Sequence, residues 1–310
     1  MKTSPFRARP FLAAAMLLAS ATASAQTAEA TERSATRLSA SILGQTATPA
    51  LIATANPQTT VDAMIATPVF QEKFSRFINA KFNVDPGEAP AEDASYSLSK
   101  YVLQNNRPWR ELFTGLYRVD PGSTATSDAV VSADPNGLGY FRSRTWMVRY
   151  AGNELDGYRI AAAYRMMNNV LGIKLTAAVN TNGVNAAGRM QAACAGCHYN
   201  NTFGLDYVSK ILSRRVGTNA ATMTFAAPNE GPQPVLGGQM LSNDKDFVTN
   251  MVASTDFRFN ACRTAMEFLY ARAEFKCDGP VFDACMTAFT ASGTIQSAVA
   301  AIARAPGFCQ

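Results

Sequence analysis

The stretch NAAGRMQAACAGCH, residues 185–198, carries the reading on which the rest of the chain turns. Its end, Cys194-Ala195-Gly196-Cys197-His198, has the C-x-x-C-H spacing of covalent haem attachment. Two thiols about one helical turn apart can add across the two vinyl groups of a porphyrin. The next residue is then presented beneath the iron, where an imidazole nitrogen can bind it. The small residues Ala195 and Gly196 let the backbone pass close to the porphyrin edge. A thioredoxin-like dithiol would want a βαβ setting, and the flanking sequence is helical. A zinc site would want a second ligand pair, but His198 is the single histidine of the chain. A disulfide between Cys194 and Cys197 would be sterically tight and leaves the histidine unexplained.

One motif implies one covalent haem c, anchored by Cys194 and Cys197 with His198 as proximal iron ligand. Bis-histidine ligation within the chain is excluded by the histidine count. The sixth position falls to Met, another side chain such as Lys, water or nothing. Met240 lies 42 residues beyond His198, just before Leu241-Ser242-Asn243-Asp244, which reads as the capped start of a helix. Met223 is the second candidate. A thioether ligand raises the potential and closes the iron, which suits electron transfer. An open position would instead suit peroxide or gas binding, although no second histidine remains as a distal acid or base.

The amino terminus predicts export. Lys2, Arg7 and Arg9 precede a short apolar run over Phe11–Ala21, and Ala23-Ser24-Ala25 fits a cleavage site, giving a mature start at Gln26. The run is shorter than the roughly 20 residues of a membrane span. No later segment is long and apolar enough to cross a bilayer, so no stable membrane insertion is expected. Loss of those three cations reduces the formal charge from +5 to +2, too weak to imply nucleic acid as a partner. Periplasmic or extracellular location fits six cysteines, since unpaired thiols are oxidised there. After the haem pair, Cys262, Cys277, Cys285 and Cys309 remain, and suit two disulfides with three possible connectivities.

The fold is expected to be mainly α: a signal peptide over 1–25, a mostly flexible Ala/Thr-rich leader over 26–56 with a helical turn near Leu38–Leu43, a helical region over 57–184, a haem-binding segment over 185–255 and a disulfide-stapled helical module over 256–310. Val61, Met64, Ile65, Val69, Phe70, Phe74, Phe77, Ile78 and Phe82 recur at helical spacing, an aromatic stripe read as core. Further helices are expected over 96–104, 109–116, 143–150, 155–171 and around 244–252, 257–270, 281–289 and 295–303, with an acidic loop at 85–93, a turn at 180–183 and a long irregular loop over 118–140. Arg107, Arg110, Arg142 and Arg144, with Trp109 and Trp146, are candidates to contact haem propionates.

Thr67-Pro68-Val69-Phe70, Asn106-Arg107-Pro108-Trp109-Arg110-Glu111-Leu112, the haem motif and Ser254-Thr255-Asp256-Phe257 together resemble a group of bacterial proteins, of planctomycete and myxobacterial type, that end in cytochrome c-like modules. The resemblance spans roughly 60–310 and implies a cytochrome c-like haem segment, but no particular substrate. The leading expectation is one-electron transfer to a redox partner protein, docking through a largely neutral surface. The rivals are a haem enzyme or gas-binding protein with an open distal site, and a structural haem protein that self-associates.

Overall fold

The computed structural model describes residues 28–83, 94–120, 129–143, 146–147, 150, 159–176, 185–200, 202–217, 224–228 and 230–309. The segment 1–25 expected as a signal peptide, the expected acidic loop at 85–93 and turn at 180–183, Arg144 and Met223 lie outside the described residues.

The protein is mainly α-helical, and the helix ends follow local capping chemistry. Helix α1 covers 28–38 and runs into a π-helical turn, Ser39–Leu43; α2 is Pro49–Ile52 and α3 Val61–Ile65. Helix α4 (Pro68–Phe82) begins where the Thr67 side chain accepts from Phe70 N, 3.2 Å away, with Pro68 at the first position. Then come α5 (Ala94–Gln104), α6 (Glu111–Thr114) and α7 (Ile160–Leu171). The haem-motif region contributes α8 (Ala186–Arg189), α9 (Ala192–His198) and α10 (Leu205–Ile211). Helix α11 (Asp244–Ala253) starts at the expected cap, with Asn243 accepting from Asp246 N at 2.8 Å. Helices α12 (Thr255–Tyr270), α13 (Gly279–Ser292) and α14 (Ile295–Arg304) complete the chain, followed by a short 3-10 turn, Pro306–Cys309.

Among the described residues, three two-stranded antiparallel hairpins interrupt the helices. Strands β1 (Tyr117–Asp120) and β2 (Val130–Ala133) pair within 118–140, so that stretch is not the irregular loop its Pro, Gly and Ser content predicts. Strands β3 (Arg214–Val216) with β4 (Thr224–Ala226), and β5 (Gln233–Val235) with β6 (Gln239–Leu241), lie between α10 and α11. Runs of three or four paired residues are too short to leave an alternating pattern in the sequence.

The leader is corrected more substantially. Residues 28–43 are helical throughout, not only near Leu38–Leu43, and Ala35, Leu38 and Ile42 are fully buried. Order therefore begins well before Pro57. Small Ala, Ser and Thr side chains hide the three apolar positions, which share one helical face at spacings of three and four.

Phe70, Phe74, Ile78 and Phe82 of the α4 stripe are core, as expected, whereas Val69, read as part of it, is exposed at the first turn of the helix. The Phe74 ring meets Phe268 of α12 with centroids 4.9 Å apart and Trp109 at 5.9 Å, both edge-on. Phe113, Tyr140, Phe141 and Phe257 continue this cluster, so amino-terminal and carboxy-terminal helices share one hydrophobic core. One staple is present: Cys262 on α12 is bonded to Cys285 on α13. Cys277 is exposed and unbonded among the described residues, while the Cys309 side chain lies outside them. No helix among the described residues is long and apolar enough to cross a membrane.

Candidate haem site

Cys194 and Cys197 are half-buried, unbonded to each other, and three residues apart on α9, which places both thiols on one helix face. The helix ends at His198. Beyond it, Asn200 builds a tight reversal. Its Oδ1 accepts from the backbone N–H groups of Thr202 and Phe203 at 3.1 and 2.8 Å, and its Nδ2 donates back to the Gly196 carbonyl. Gly204 then turns the chain into α10 at φ +48°, where a Cβ would stand 2.8 Å from the Asn200 carbonyl oxygen.

That reversal brings Asp206, in the first turn of α10, against His198. The His198 Nδ1 lies 2.7 Å from Asp206 Oδ2. The carboxylate is fully buried and also receives the Arg189 fork: Nε at 3.1 Å from each oxygen and Nη2 at 3.0 Å from Oδ1. Tyr199 donates its hydroxyl to Oδ1 at 3.0 Å. Burial by itself would raise the Asp206 pKa; the hydrogen bonds from His198, Arg189 and Tyr199 outweigh it and hold the carboxyl below its ordinary range. In the tautomer that suits a carboxylate acceptor, Nδ1–H donates to Asp206, which leaves Nε2 as the ring nitrogen available to a metal.

Asp206, Arg189 and Tyr199 were not among the residues singled out from the sequence. Arg189 lies five residues before Cys194, and Asp206 lies eight after His198. Neither offset matches a motif, because the meeting depends on the fold of 199–204.

The predicted propionate contacts separate into two groups. Arg107 pairs with Glu111, Arg110 is exposed, and Trp109 is packed in the aromatic core. Arg142 donates to Asp244 at 2.6 Å and to Ser213 at 3.0 Å. Trp146 Nε1 and Arg142 Nε are buried with no partner among the described residues, and so is Nε of Arg159, whose Nη2 donates to the Ser209 carbonyl on α10 at 2.8 Å. Burial pulls the Arg159 guanidinium down to about 10, so it stays charged at neutral pH. Met240 sits on β6 with 62 % of its surface exposed.

The residues of α9 fit a covalent haem: two thiols on one helix face, unbonded among the described residues, and a histidine whose Nδ1 faces Asp206, leaving Nε2 for a metal. No family model, curated protein or solved structure matches the chain.

Proposed function

We propose that the chain is an exported monohaem c-type cytochrome that transfers single electrons to a redox partner protein outside the cytoplasm. The observation that carries this reading is the pair of unbonded thiols on the face of a helix that ends at a carboxylate-held histidine. Cys194 and Cys197 would anchor the haem and His198 Nε2 would bind its iron. When bound, that group supplies one-electron Fe(III)/Fe(II) cycling. Asp206 orients the imidazole and keeps its proton at Nδ1, while the Asn200 turn fixes α9 against α10.

The sequence offers Met240 and Met223 for the sixth position. Both stay open as candidates, and an open sixth position keeps the gas- or peroxide-binding reading as the second choice. A structural, self-associating role stands third and predicts a concentration-dependent size.

The test is expression with export and haem-maturation machinery, followed by haem staining of the denatured chain and spectra of the reduced protein with and without CO. Haem that stays on the denatured chain and a CO-insensitive spectrum support electron transfer. Rapid conversion by CO moves the open-site reading ahead, and absence of covalent haem refutes both.

A further inference from the structure

The buried carboxylate beside His198 does more than hold a ring in place. A histidine ligand that donates its second N–H to a carboxylate becomes more basic, and a more basic ligand favours the oxidised metal. Here the acceptor is a carboxylate with no solvent exposure, so water screens it little. Its two oxygens are unequally loaded. Oδ1 receives Tyr199 at 3.0 Å, Arg189 Nη2 at 3.0 Å and Arg189 Nε at 3.1 Å. Oδ2 receives His198 at the shorter 2.7 Å and shares only Arg189 Nε, at 3.1 Å. Arg189 compensates the buried charge, without which the carboxylate would be too costly to keep ionised. Tyr199 is a second competitor for that charge. The imidazole is thus polarised by Asp206 and restrained by Arg189 and Tyr199.

We propose that Asp206 is the positioning residue that sets a low reduction potential at this haem, with Tyr199 and Arg189 limiting how far it falls. This rests on the haem reading above and deepens it by naming the partner class: a strongly reducing one-electron donor, from which the ferric iron takes its electron.

The test is a potentiometric titration of haem-loaded wild type, Asp206→Asn and Tyr199→Phe at neutral pH. Asp206→Asn should raise the midpoint by about 59 mV or more, a tenfold change in the ferric-to-ferrous ratio. Tyr199→Phe frees charge toward the imidazole and should shift the midpoint the opposite way. If Asp206→Asn does not fold, Tyr199→Phe alone decides by the sign of its shift. Haem-loaded variants that keep the wild-type midpoint overturn this inference and leave the cytochrome reading standing. A wild type that carries no covalent haem overturns both.

Discussion

Asn260 of α12 occupies the space that a side chain at residue 172 would need. Its Nδ2 donates to the carbonyls of Asn169 and Val170 at 3.0 and 3.1 Å, satisfying the last turn of α7, and its Oδ1 lies 2.5 Å from where a Gly172 Cβ would stand. Gly172 itself is left-handed at φ +73°. Gly172→Ala therefore combines backbone strain with a clash and should cost about 2 kcal/mol. Asn260→Ala should cost about 1–2 kcal/mol through the two lost hydrogen bonds. The double variant should fall short of the sum, because removing Asn260 removes the clash. Additive losses in urea unfolding would show that the two residues do not meet.

Leu38 and Ile42 are fully buried. Leu38→Ala should destabilise the protein by about 2–4 kcal/mol, as truncation of a core leucine does. A flexible leader would show no change, so one pair of thermal melts separates the two.

The Cys262–Cys285 bond closes a separation of 23 residues between buried sites on α12 and α13. Loop-closure entropy for that length predicts a loss of about 3 kcal/mol when both cysteines are replaced by Ser. Wild type in reductant should unfold at the same urea concentration as the double Ser variant. A midpoint that neither change moves would argue against the bond.

Asp278 accepts from Arg272 Nη1 at 2.6 Å and Nη2 at 3.1 Å, and from Phe275 N at 2.8 Å. The Arg272 hydrogen bonds, and after them the Phe275 N–H, hold its pKa below the ordinary carboxylate value. Because the folded value is the lower one, its contribution is fully present above pH ~4 and is lost as pH falls below that. Asp278→Asn should flatten the acid limb of a plot of urea midpoint against pH. An unchanged slope would remove Asp278 from the list of groups responsible.

Met240 stands opposite Pro234 across the β5–β6 hairpin, which is anchored by the fully buried Val235. This residue is 62 % exposed and is no part of the hydrophobic core. Met240→Ala is expected to keep the wild-type reduced spectrum and the wild-type response to CO. A new high-spin spectrum in that variant would mean that the hairpin closes over the iron.

Interactions within a few residues could be read from the sequence. The C-x-x-C-H spacing, the capped helix start at Asn243 and the α4 aromatic stripe depend on neighbours within about one turn, so their spacing carries the signal. Encounters across space could not. The Cys262–Cys285 pairing depends on how α12 and α13 pack, and the burial of Leu38 and Ile42 depends on a core supplied by distant helices. The contact of His198 with Asp206 depends on a six-residue turn fixed by Asn200 and Gly204. Residue types and spacing therefore determined that this chain carries two thiols and an imidazole in C-x-x-C-H order on one short segment. Tertiary structure alone decided that the imidazole is backed by a buried charge, because burial and hydrogen-bond partnership are properties of the packed chain.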